Sequence, residues 1–141
     1  MRLSVFIADT LSTQLVIDLQ KIYGDYLPAS SLTTDAIAEQ LNDSQSRLYL
    51  TMFNERHIGA VKVQITEASA TLSQLQIRDL TRRRGVGKNL LKQVEKQLKA
   101  EGVTQIKYAL TEVDQSALLA TQAFLVNSDY RINDDMAIKA L

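Results

Sequence analysis

The residues of this chain best placed to do chemistry lie in one run, Thr81, Arg82, Arg83, Arg84, Gly85, Val86, Gly87 and Lys88, continuing into Asn89-Leu90-Leu91. An apolar segment ends at Ile77 just before this run, and a helix-like pattern starts at once after it. A strand, a glycine turn and a helix N-terminus in succession bring unpaired backbone N–H groups and the positive end of a helix dipole to one point. A phosphate fits there. Glycine at 85 and 87 permits close approach, because a side chain would meet the ligand or oppose the backbone angles of the turn. Arg82 and Lys88 add charge, and the amides of Gly85, Val86 and Gly87 add donors. Three consecutive arginines cannot all face one site, which leaves Arg83 or Arg84 for another partner.

Two common phosphate motifs do not fit the run. A Walker A loop spaces its glycines more widely and ends in Gly-Lys-Ser/Thr, whereas here only Val86 separates the glycines and Asn89 follows Lys88. A dinucleotide fingerprint requires a third glycine where Leu90 stands. Arg82-x-x-Gly85-x-Gly87 between a strand and an amphipathic helix resembles motif A of the GNAT (Gcn5-related N-acetyltransferase) superfamily, which binds the pyrophosphate of coenzyme A. The resemblance implies that Leu75, Gln76 and Ile77, on the strand before the motif, meet the pantetheine arm through their main chain.

The elements that must position these residues can be read from periodicity. Leu3–Ala8 reads as a strand; Leu11, Leu15, Leu19 and Ile22 recur at helical spacing, with Ser12 as cap and Gly24 as stop. A second helix is expected over Asp35–Leu41, capped by Thr33 or Thr34, and a loop over Asn42–Ser46. Leu48–Phe53, Ile58–Ile65 and Thr71–Ile77 read as a three-strand meander with turns at Asn54-Glu55-Arg56 and Glu67–Ala70. From Val86 to Leu98 apolar residues fall at 86, 90, 91, 94 and 98, with Lys88, Lys92, Glu95, Lys96 and Lys99 on the other face and Gly102 as stop. A strand at Ile106–Leu110, a helix capped by Ser116 and running to about Asn127, and a hairpin of Tyr130–Ile132 with Met136–Leu141 complete the chain. The order β-α-α-β-β-β-α-β-α-β-β predicts one domain over residues 1–141. It matches the GNAT acyl-CoA N-acyltransferase fold, an α/β class of the α+β type. Its central sheet is mixed and mostly antiparallel, splayed at the acetyl-CoA site and flanked by helices.

Composition agrees and narrows the function classes. The 141 residues are 45% apolar with a single proline, as a packed core requires. The 16 basic and 16 acidic residues cancel, so nucleic acid is not an expected partner. Without cysteine there is no disulfide, thiolate nucleophile or thiolate metal site, and no metal is expected. The apolar run in MRLSVFIADT is too short for a signal, and no window approaches the roughly 18 apolar residues of a membrane span. A cytosolic, unprocessed protein, monomeric on its own, is expected.

Catalytic groups are harder to find. Acetyl transfer to an amine benefits from a base and an acid. Many GNAT members carry a glutamate on the strand before motif A, and Leu72–Ile77 has none; many carry a tyrosine where this chain reads Ala123-Phe124-Leu125. Tyr108 and Tyr130 read as packed aromatics, His57 as a surface or strand-end histidine, and Glu112 with Asp114 as an acid pair near the cleft, Asp114 being a possible helix cap. No catalytic residue is assigned.

A narrower resemblance lies in IDLQKIYGDY (17–26), FNERHIGAVKV (53–63) and above all LTRRRGVGKNLLKQV (80–94). These stretches are similar to the PanM/PanZ-type maturation factors of aspartate 1-decarboxylase. That resemblance implies a regulator that binds acetyl-CoA or CoA and, so loaded, binds the decarboxylase zymogen. It promotes self-cleavage at a Gly–Ser bond to form the pyruvoyl group, and it also binds and restrains the mature enzyme. Synthesis of β-alanine and pantothenate would thereby answer to coenzyme A. An intramolecular acyl shift needs serine and carbonyl in near-attack geometry, and a partner can favour that conformer by differential affinity without donating a catalytic group. The resemblance puts coenzyme contacts at Leu75–Ile77 and Thr81–Lys88, and partner contacts at Asn54, Glu55 and Arg56 with Arg83 or Arg84. The alternative is an N-acetyltransferase acting on an unidentified amine, with Glu112 or Tyr108 in the missing role.

Overall fold

The computed structural model describes residues 3–78 and 85–141. Among the described residues seven strands form one sheet in the order β1-β2-β3-β4-β5-β7-β6: β1 (Ser4–Ile7), β2 (Ser46–Phe53), β3 (Arg56–Thr66), β4 (Ser69–Ile77), β5 (Gln105–Ala109), β6 (Arg131–Asn133) and β7 (Met136–Ala140). Every neighbouring pair is antiparallel except β4 and β5, which run parallel through the crossover helix α3 (Val86–Ala100). The other helices are α1 (Thr13–Tyr23), α2 (Thr34–Asn42) and α4 (Leu118–Val126). This is the expected element order and sheet class.

Alternation along the central strands builds a core on each face of the sheet. Leu48, Leu50 and Ala60 pack against Leu15, Leu19 and Ile22 of α1 and Ile37 of α2. Tyr49, Val61, Val63 and Leu72 face the other way, onto Leu90, Leu91, Val94 and Leu98 of α3 and Leu125 of α4. The five apolar positions counted along α3 are all buried.

Local chemistry explains most boundaries. Ser12 Oγ accepts from the Leu15 amide and Thr33 Oγ1 from the Ala36 amide, each 3.1 Å, as N-caps. Gly102, at φ +95°, closes α3: its amide donates to Lys99 O and that of Val103 to Leu98 O, the paired bonds of a Schellman motif. Gly24, by contrast, stays right-handed at φ −56°. The chain leaves α1 through Tyr26 and Leu27 amides that both donate to Tyr23 O, with Pro28 next.

Three expectations are corrected. The turn after β2 is two residues, Asn54 and Glu55, both at positive φ (52° and 64°); Arg56 is the first residue of β3 and pairs with Phe53. Ser116 does not cap α4: it donates to Asp114 Oδ2 within a 3-10 turn (Gln115–Ala117), and Ala117 holds the N-cap position. Glu95 is not on the solvated face of α3 but buried, because Tyr130 Oη and Lys139 Nζ reach it at 2.7 and 2.8 Å.

Gly102 alone supplies the left-handed residue of the α3 stop, so Gly102→Ala should lower unfolding free energy by about 1 kcal/mol. Urea denaturation should show this as a shifted midpoint with an unchanged slope.

Candidate functional site

The site begins with a fault in β4. Ala60 pairs with Gln76 and Lys62 with Ser73, so Gln74 and Leu75 together oppose the single residue Val61. This is a β-bulge, and Gln74 adopts φ +56° to make it. The parallel ladder with β5 ends immediately before it, at Leu72 and Tyr108.

The bulge leaves backbone groups that the ladder no longer satisfies, and two tyrosines take them. Tyr23 on α1 donates to Gln74 O at 2.7 Å, and the Leu75 amide donates to Tyr108 Oη at 2.9 Å. Burial raises the pKa of both phenols; for Tyr108, Glu112 adds to burial and the Leu75 amide opposes it, leaving a value of about 12. Both are therefore neutral hydroxyls at physiological pH. Tyr108 is the packed aromatic expected from sequence, but it also lines the cleft.

Beyond the bulge β4 stays with β3 and parts from β5. The Arg78 amide donates to Ile58 O, so by strand alternation the amides of Leu75 and Ile77 face the opposite, open edge. A cavity of about 410 Å³ lies in the parting, lined by Tyr23, Gln74, Leu75, Tyr108, Glu112 and Thr121 among others. Asp25 and Asp114 also line it, which adds to the Glu112–Asp114 pair a third acid from the far side.

The N-terminus of α3 closes on the end of β4. Gly85 is left-handed at φ +72°, and its carbonyl accepts the first helical bond from Asn89. The amides of Val86, Gly87 and Lys88 open the helix without intrahelical acceptors. A methyl group at Gly87 would lie 3.6 Å from both Ile77 Cγ1 and Phe124 Cζ, an ordinary contact. Gly85 thus answers a backbone angle, while Gly87 stands where a methyl would meet Ile77 and Phe124. Leu75, Gln76, Ile77, Gly85, Val86, Gly87 and Lys88 are brought to one end of the sheet. Thr81, Arg82, Arg83 and Arg84 fall outside the described residues.

The Asn54-Glu55 tip lies at the same end. It joins β2 to β3, and the first residues of β3 sit beside the last of β4, with Gly59 opposite Ile77. Asn54 and Glu55 are exposed. Arg56 is already engaged, donating from Nη2 and Nε to Asp18 Oδ1 at 2.7 and 3.1 Å.

Sequence reading missed the Asp18 site. Asp18 is fully buried on α1 and also accepts from Gln14 Nε2, from the His57 amide and from His57 Nδ1. Burial would raise its pKa, but Arg56, the two His57 groups and Gln14 outweigh it and hold the carboxyl at about 2. His57 is accordingly buried, not a surface residue, with Phe6 6.2 Å from its ring. Tyr130 does not line the cleft and is bonded to Glu95. Leu125, where many GNAT members have a phenol, is buried against α3.

This geometry has close counterparts. The chain superposes on a solution NMR structure of YhhK from Escherichia coli bound to coenzyme A with a TM-score of 0.78, 32% identity and all of both chains covered. It also superposes on the PaiA N-acetyltransferase of Thermoplasma acidophilum, in complex with coenzyme A, with a TM-score of 0.70 over 98% and 99% of the two chains. At 15% identity the second likeness shows the fold alone. A sheet parted after a bulge, with a glycine-led helix N-terminus at the opening, is that of a GNAT domain. The family model "Acetyltransferase (GNAT) domain, PanZ" matches residues 2–136. The PanD regulatory factor of Escherichia coli K12 is 39% identical over 94 residues, 67% of each chain. The chain belongs to the PanZ family.

Two outcomes follow for the site. Tyr23→Phe and Tyr108→Phe each leave a bulge group without its partner and should cost about 1–2 kcal/mol in urea unfolding. Asp18 should add about 2 kcal/mol of stability in full above pH 5. Its folded pKa lies below the ordinary 3.8, so this contribution fades as pH falls through 3.8 toward 2. The gap in unfolding free energy between wild type and Asp18→Asn should therefore narrow from pH 6 to pH 3.

Proposed function

We propose that this chain is a coenzyme-dependent maturation and regulatory factor for aspartate 1-decarboxylase. Acetyl-CoA, or CoA, lies with its pyrophosphate on the amides of Gly85, Val86, Gly87 and Lys88 and its pantetheine arm along Leu75, Gln76 and Ile77. Thr81, Arg82 and one of Arg83 and Arg84 complete the grip. The loaded protein binds the decarboxylase zymogen through Asn54, Glu55 and Arg56, with Arg83 or Arg84, and promotes cleavage to the pyruvoyl form. The same contact restrains the mature enzyme.

The observation that carries this reading is the placing of the Asn54-Glu55 tip and the α3 N-terminus at one end of the sheet, on β3 and β4. A partner seated on the tip would touch the bound coenzyme directly, so its affinity would depend on the coenzyme without any relay through the protein. The relatives support the same reading, since one is named a PanD regulatory factor and another was solved with coenzyme A. Glu55 adds a further sign. A two-residue turn with both φ positive favours glycine at its second position, and a glutamate held there at 64° is costly unless its side chain is wanted.

The test is the intact mass of a decarboxylase zymogen incubated with this protein, with and without acetyl-CoA. Two chains only when both are present supports the reading; an uncut zymogen beside a protein that still binds acetyl-CoA returns the N-acetyltransferase alternative. Gly87→Ala separates site from fold. Replacing a helical glycine should stabilise the chain by up to about 1 kcal/mol. The added methyl would stand against Ile77 and Phe124, beside the proposed path of the pantetheine arm, so calorimetric affinity for coenzyme A should fall about tenfold.

A further inference from the structure

A buried carboxylate on an apolar helix stripe is not needed to build a core. Leu15, Leu19 and Ile22 already seat α1 on the sheet, yet Asp18 sits among them fully buried. Its five polar contacts are not spread over the fold. One comes from its own helix, Gln14 Nε2 at 2.8 Å; the other four come from two consecutive residues, Arg56 and His57. Those are the two residues that follow Asn54-Glu55. An ionised carboxylate only accepts, so His57 Nδ1 carries the proton toward Oδ2.

The hairpin needs such a hold. Pairing between β2 and β3 is regular up to Thr51 and Gly59, then slips, with Met52 opposite His57 and Ile58 as the extra residue. Beyond that bulge only Met52–His57 and Phe53–Arg56 remain before the tip. The His57 amide donates to Asp18 rather than to the ladder. Two residues at positive φ, one of them a glutamate, then close the turn. A short, slipped ladder and an unfavourable turn do not by themselves fix a tip.

We propose that Asp18 is a positioning residue for partner recognition: from inside α1 it fixes Arg56 and His57, and through them the form in which Asn54 and Glu55 meet the partner. This rests on the partner-binding reading above and deepens it. Arg56 then meets the partner with its guanidinium already held by Asp18.

The test compares wild type, Asp18→Asn, Arg56→Lys, Asn54→Ala and the double variant Asp18→Asn/Asn54→Ala in the full chain. Arg56→Lys keeps the charge and loses the two-nitrogen grip on Oδ1, so it serves if Asp18→Asn does not fold. Two quantities are read: hydrogen exchange by NMR of the Phe53 and Arg56 amides, the last ladder pair before the tip, and affinity for the decarboxylase zymogen with coenzyme A present. Asp18→Asn should speed exchange at the tip about tenfold while leaving coenzyme A affinity unchanged. It should weaken zymogen binding about tenfold in the wild-type background and hardly at all once Asn54 is alanine. Arg56→Lys should shift both in the same direction by less. Unchanged tip exchange, or the same loss of affinity with and without Asn54, would overturn the positioning role. A wild-type protein that binds coenzyme A but no zymogen would overturn the recognition reading instead, and the exchange rates alone would then decide whether Asp18 shapes the tip.

Discussion

The divergence of β4 from β5 depends on a single extra residue. Direct backbone pairing holds neighbouring strands about 4.8 Å apart. After Leu72 that pairing is replaced by a side chain, since the Leu75 amide meets the Tyr108 hydroxyl and not the β5 backbone. Tyr108, the last residue of β5 paired with β4, thus supplies the acceptor that the β5 backbone no longer offers where the strands part. The bulge at Gln74 makes the substitution possible by turning Leu75 outward, and Tyr23 takes the carbonyl that the bulge exposes. Burial keeps both hydroxyls protonated, which spares the bulge a buried charge. The cleft is therefore held open by satisfied hydrogen bonds, and β4 can offer an edge to a ligand while remaining part of a continuous sheet.

The same sheet explains how two surfaces can act as one. β3 is antiparallel to both neighbours, so its start lies beside the end of β4 and carries the tip that follows β2. The α3 N-terminus reaches that end because the β4-to-β5 connection is a parallel crossover, which must bring the chain back along the sheet. On the proposed reading, a ligand there and a partner on the tip share a boundary. Coupling between them then needs only contact, and no second conformation of the protein.

Much of this was legible in sequence, because it rests on local signals. The period of α3, the capping hydroxyls of Ser12 and Thr33, and the left-handed stop at Gly102 each depend on residues within a turn of one another. The glycine turn before α3 was legible for the same reason. What escaped depends on partners far along the chain. Asp18 meets Arg56 and His57 across 38 and 39 positions, and Glu95 meets Tyr130 and Lys139 across 35 and 44. A charge in an apolar stripe reads as an outward residue until its partner is seen. The bulge was silent for another reason: Gln74 has no special preference for positive φ, and the tertiary bonds of Tyr23 and Tyr108 impose it.

Asp18 and Glu95 show what such buried charges do. Burying an ion pair seldom adds stability over a well-packed apolar group, so its presence argues for a particular arrangement. Glu95, on one face of the sheet, gathers Tyr130 and Lys139 from either side of the β6–β7 hairpin and ties that hairpin to α3. Asp18, on the other face, gathers Arg56 and His57 and ties the β2–β3 hairpin to α1. Each fixes a hairpin by its carboxylate, where apolar contact would allow sliding. The difference lies in what each hairpin carries. The first returns to a sheet edge; the second ends in two exposed residues at the same end of the sheet as the end of β4, where, on the proposed reading, a small displacement would change what a partner meets.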